Sequence, residues 1–222
     1  MRASIFALAL LVCGTASAEL PAPPFPTGRW LPGLETDRLA SERPGSWVEY
    51  RLLLDGRPVG WNLRYVLAGR DSDGIWLELW ISSRPGSGTM GFQLRLERGS
   101  DGRFELARVR QRLLGGEIVE VPLAPEERGG GGFPAVSTMG VGETWTRVMT
   151  EAGTYHARLV ELREEAEVAG RIWIVDALPL FGIARLEFSG GLGWELHSHG
   201  DESHLLFGAP AHEPAKVGDA RP

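Results

Sequence analysis

Metal-ligand side chains converge at one place in the 222-residue sequence, His197-Ser-His199, which is followed by Asp201, Glu202 and His204. Residues two apart on a strand point the same way, so a strand here would offer His197 and His199 to one zinc or copper ion. Asp201 or His204 could complete the set if the chain bends back. The alternative is a polar strand end with solvated imidazoles, and without a cysteine or a fixed third ligand no metal is assigned. Asp71-Ser-Asp73-Gly74 begins like a calcium loop, yet the twelfth position, where an EF-hand needs glutamate, is Ser82. That stretch reads as a hairpin tip. Gly86-Ser-Gly-Thr-Met-Gly91 matches G-x-G-x-x-G, but a dinucleotide site needs a helix after it, and here a strand pattern follows. It reads as a turn.

Arg108, Arg110 and Arg112 alternate along one strand, a basic stripe that could meet lipid phosphates or an acidic partner. The same stripe also reads as a solvated hairpin face, paired with acids such as Glu97 and Glu105. Glu164, Glu165 and Glu167 form an exposed acidic run and not a catalytic pair. No G-x-S-x-G elbow and no recognisable His-Asp arrangement supports a nucleophile. No enzyme and no cofactor are therefore expected.

The remaining signal is aromatic. Trp61, Tyr65, Trp76, Trp80 and Phe92 fall on three successive strand patterns. They form either an ordinary core or a concave apolar groove for an acyl chain or a lipidated partner, and these five are the candidate ligand-binding residues.

The elements that must position them begin after an export signal. Met1-Arg2 is a basic start, Ile5 to Val12 an apolar run, and Ala16-Ser-Ala18 an A-x-A site, so cleavage is expected after Ala18. The run is too short for a membrane span, and no span is expected after cleavage. Cys13 follows Val12 and not a small residue, so lipid attachment there is not expected. The processed chain then lacks cysteine, which excludes disulfides and thiolate chemistry. Its charge becomes −7, from 22 basic and 29 acidic residues, which argues against a general nucleic-acid binder.

Residues 19–46 read as a proline-rich lead-in with a short helix between Leu34 and Arg43, capped by Thr36. From Trp47 the pattern is of period two. Val48, Tyr50 and Leu52 alternate with Glu49 and Arg51; Asp55-Gly56 turns the chain into Val59–Leu67; and Ile75–Ile81 is apolar on both faces. Further strands are expected over Thr89–Glu97, Arg103–Leu113, Glu117–Val121, Glu143–Thr150 and Thr154–Val168. After a turn at Ala169-Gly170 come Arg171–Leu178, Ile183–Phe188 and Trp194–His199. A loop from Pro122 to Gly142 carries four successive glycines. The expectation is an all-β domain over 47–207, a strongly curved antiparallel meander that forms a half-barrel or barrel of about eleven strands with little helix. Residues 208–222 read as a disordered tail.

Ala152-Gly-Thr-Tyr155, then Trp173, then Pro179-Leu-Phe-Gly182 resemble the last strands of the curved-sheet periplasmic proteins around the lipoprotein-carrier families of the Gram-negative envelope. The likeness covers the C-terminal third. It implies a periplasmic binding or carrier protein for an acyl chain, lipid or lipidated protein, held in a groove that those families close with helices. The rival reading is an assembly factor that binds a protein partner through sheet edges and the glycine loop, and a metal-dependent enzyme at the histidines comes third. Oligomeric state is not fixed by the sequence.

Overall fold

Strand alternation becomes a single sheet in the computed structural model, which describes residues 36–83, 89–99, 104–113, 115–123, 144–164 and 167–208. Those residues form a short 3-10 helix, Thr36–Ala40, and eleven strands. The strands are β1 (Trp47–Leu54), β2 (Arg57–Arg70), β3 (Gly74–Ser83), β4 (Thr89–Arg98), β5 (Phe104–Arg112) and β6 (Ile118–Val121), then β7 (Thr144–Thr150), β8 (Gly153–Glu164), β9 (Glu167–Ile174), β10 (Ile183–Phe188) and β11 (Leu192–Gly200). Their order is β6-β5-β4-β3-β2-β1-β11-β10-β9-β8-β7, and every pairing is antiparallel. The expected all-β class with a strongly curved open sheet is what the chain adopts. Its first and last strands meet in the middle, with Tyr50 opposite Leu196 and Leu52 opposite Trp194, while β6 and β7 are the edges among the described residues.

One face of the sheet carries the core. Val48, Tyr50, Leu52, Leu63, Tyr65, Leu67, Leu77, Leu79, Leu94 and Leu196 are all buried there, in the register that alternation dictates. The loop between β9 and β10 folds over this face. Phe181 meets Tyr65 edge-on at 5.1 Å, and Leu178 and Leu180 are buried beside it. Arg38 of the 3-10 helix holds the loop by donating to the carbonyls of Asp176 and Leu178. Gly182, which ends this loop, has φ +66°, a left-handed backbone that glycine adopts without steric cost.

Two expectations shift. The turn assigned to Ala169-Gly170 lies earlier, because Arg163 pairs with Val168 and Glu164 with Glu167. Gly170 instead sits inside β9 opposite Leu162, where a Cβ would come within 2.6 Å of the Glu187 carbonyl oxygen. The glycine marks a close strand approach, not a turn. Also, the helix over Leu34–Arg43 is the single 3-10 turn from Thr36. Most of the lead-in, most of the glycine loop and the tail beyond Gly208 lie outside the described residues.

Candidate functional site

The sheet distributes the five candidate aromatics over both of its faces. Trp61, Leu63 and Tyr65 share one face of β2, and Tyr65, Leu79 and Phe92 are aligned across β2, β3 and β4. These three aromatics lie in the core, 7%, 1% and 8% exposed. Trp76 and Trp80 flank Glu78 on β3 and point the other way, toward what we call the outer face. No single groove is lined by all five. Burial pushes the phenols of both Tyr65 and Tyr50 upward, and the Tyr50 hydroxyl finds no hydrogen-bond partner.

The outer face is built from arginines stacked on indoles. Arg64 lies 3.7 Å above the Trp47 ring and 5.2 Å from that of Trp80. Arg95 and Arg110 approach Trp76 at 4.9 and 5.5 Å, and Arg185 approaches Trp173 at 5.9 Å. Carboxylates balance them. Arg95 is held by both oxygens of Asp71 at 2.8 Å, and Arg185 lies between Glu187 at 2.6 Å and Glu195 at 3.3 Å. The hydrogen bond from Arg95 holds the Asp71 carboxyl at about 2, well below its ordinary value. Burial lowers the affinity of Arg64 for its proton, and Glu49 offsets part of that. Glu120 of β6 meets both Arg108 and Arg110, at 3.5 and 3.2 Å.

Glu78 is the least expected residue here. It is fully buried on a strand apolar on both sides, and its carboxylate accepts bonds from Trp80 Nε1 at 2.9 Å and from the amides of Leu206 and Phe207 at 2.7 and 3.0 Å. The segment after β11 thus returns across the outer face. A lone acid between two tryptophans in a central strand was the sequence signal that something covers this side.

The histidine pair is separated. Tyr50 pairs with Leu196 and Glu49 with Ser198, so His197 is the extra residue of a bulge. Beyond the bulge the alternation slips by one, and His199 lies opposite the core residue Val48. His197 faces the outer side, with Nδ1 3.3 Å from Arg51 Nη2 and 3.0 Å from Glu151. Among the described residues, no three His, Cys, Asp or Glu side chains are grouped to hold a metal.

Glu151 belongs to the tip of the β7–β8 hairpin. It pairs with Arg51 of β1 as well as with His197 of β11, so the hairpin is tied back to the two central strands. Val148 and Ala157 of the hairpin are buried, while Trp145 and Met149 alternate with Val148 and are 48% and 71% exposed on edge strand β7. Trp145 stacks on His156 with ring centroids 5.1 Å apart. Sequence reading missed this surface, because Trp145 and Met149 scan as an ordinary strand until β7 is known to be an edge.

No family model and no curated relative matches the sequence. Among solved structures, the hypothetical protein CT021 from Chlamydia trachomatis is similar with a TM-score of 0.51 at 9% identity, over 80% of this chain and 97% of that one. A protein with a YmcC-like fold from Bacteroides fragilis, described as exported, aligns with a TM-score of 0.35 at 13% identity, over 72% of this chain and 97% of that one. The first likeness is one of fold: this chain shares its curved sheet with CT021.

Proposed function

We propose that the protein is an exported, non-enzymatic envelope factor that binds a protein partner through the β7–β8 hairpin. The observation that carries this reading is the exposed pair Trp145 and Met149 on an edge strand whose tip is fixed by Glu151 to Arg51 and His197. Tryptophan and methionine are enriched at the centres of protein interfaces, and an open strand edge adds main-chain donors and acceptors. Export rests on the basic start, the short apolar run and the A-x-A site of residues 1–18. The interior aromatics Trp61, Tyr65 and Phe92 serve the core.

A second reading, carriage of a lipid, draws on the outer face. The Arg64–Trp47–Trp80 stack joins cationic and apolar surface, which suits an anionic amphiphile.

A photo-reactive phenylalanine analogue placed at 145 or 149 in the exporting cell separates the two. We expect one protein adduct common to both positions, in the fraction that lies outside the inner membrane. A lipid adduct would replace the partner reading with the carrier reading. Absence of any adduct beyond that of a probe at buried Val148 would remove the hairpin from consideration.

A further inference from the structure

The last described segment, Ser203–Phe207, crosses the outer face without becoming a strand of the sheet. What holds it is a set of side chains that reach its main chain. The Glu78 carboxylate accepts the amides of Leu206 and Phe207 at 2.7 and 3.0 Å, and the Arg112 guanidinium donates to the Leu206 carbonyl. Arg64 Nη2 contacts the Ser203 hydroxyl at 3.3 Å. The apolar side chains enter a slot left by Gly91, where a Cβ would come within 2.9 Å of Leu206 Cδ1 and 3.4 Å of Phe207 Cε2. Gly91 lies directly opposite Trp80, so slot and carboxylate are neighbours.

We propose that the Glu78–Gly91 site is a docking site for an extended peptide segment, and that the chain's own Ser203–Phe207 is its resting occupant. This surface is separate from the β7–β8 hairpin and does not depend on it. The partner it fits presents two successive main-chain amides and a Leu-Phe-like apolar pair in extended form, the chemistry of the segment now seated there.

Two features favour an exchangeable occupant over a fixed closure. Leu205, Leu206 and Phe207 are only half-buried and His204 is exposed, so the segment is held far less than the strands beneath it. The residue at the centre of the contact is a carboxylate, and a buried charge is a poor device for permanent closure, where an apolar side chain of similar volume does as well or better. A carboxylate that reads main-chain amides recognises backbone, and it is hydrated again when the segment leaves.

The test uses a fluorescent peptide, Ser-His-Leu-Leu-Phe-Gly, and the full-length protein. The tethered segment competes at high effective concentration, so we expect weak binding to wild type. Binding should tighten at least tenfold in Leu206→Ala/Phe207→Ala and be lost when Gly91→Val is added. Equal affinity of wild type and the double variant, or binding that survives Gly91→Val, would overturn the site. Loss of the near-ultraviolet circular dichroism of the double variant would also overturn it, by making the segment part of the core. Hydrogen exchange of the wild type gives an independent reading. The Leu206 and Phe207 amides should open at least tenfold more readily than those of Leu77 and Leu79, and exchange in step with β3 would contradict an exchangeable occupant.

Discussion

Asp71 fastens the β2–β3 turn in two ways at once. One oxygen accepts the amides of Asp73 and Gly74, both at 3.0 Å, and the carboxylate as a whole takes the Arg95 guanidinium. Its folded value of about 2 lies below the 3.8 of a free side chain, so its stabilisation is complete above the unfolded value. That stabilisation fades as pH falls from about 4 toward 2. At 28% side-chain exposure solvent screens the pair, and we expect Asp71→Asn to cost about 1 kcal/mol at neutral pH. Urea melts at several pH values check this, because the gap between variant and wild type should close on acidification. Gly182 is a second sensitive residue. Its φ of +66° is strained for any side chain, and Gly182→Ala should cost about 1 kcal/mol or more, read as a lowered denaturation midpoint. That residue was legible in advance from the Pro179-Leu-Phe-Gly182 corner, because a tight reversal beside a proline calls for glycine chemistry.

At the scale of elements, the β7–β8 hairpin depends on a bracket and not on the ladder alone. Glu151 is half-exposed, so its ties to Arg51 and His197 add little to global stability, on the order of 0.5 kcal/mol. They fix the position of the hairpin. We therefore expect Glu151→Ala to leave the melting temperature within a few degrees while amide exchange in Thr144–Thr150 speeds up, measured at pH 7 by hydrogen exchange. Unchanged exchange in β7 would show that Val148 and Ala157 suffice to seat it. The strands themselves were readable, because burial on one face imposes a period of two on Val48, Tyr50 and Leu52 and again on Leu63, Tyr65 and Leu67. What escaped the reading was every departure from that period. The bulge at His197 sends His199 to the opposite side, Gly170 packs inside a strand where a turn was expected, and an acid at Glu78 is satisfied by residues over 120 positions away. Alternation is a local property, and none of these contacts is local.

At the scale of the whole molecule, the order of strands has a consequence that no single hairpin shows. Two meanders, β1–β6 and β7–β11, are consecutive in sequence, and the β1–β11 ladder joins them across the middle of the sheet. Aromatic rings gather at that seam, with Tyr50 6.3 Å from Tyr65 and 6.2 Å from Trp194. Leu196, fully buried opposite Tyr50, lies at its centre. If the seam makes the two meanders one cooperative unit, wild type unfolds in a single transition, with tryptophan fluorescence and far-ultraviolet circular dichroism coincident. Leu196→Ala opens a cavity at the junction and should cost about 2–5 kcal/mol. The sharper expectation concerns cooperativity. Trp76 and Trp80 report on the first meander and Trp173 and Trp194 on the second, so single-tryptophan pairs follow the halves separately. In Leu196→Ala the two reports should part, with the second meander melting first, because among the described residues its strands β7 and β8 add only Val148, Ala157 and Leu162 to the buried core. A residue removed from the interior of either meander, such as Leu79, should lower stability by a similar amount and keep the two reports together. Coincident melting in both variants would mean that the ladder is not a weak joint. The loop over the core face, with Phe181 against Tyr65, would then be what binds the two halves into one unit.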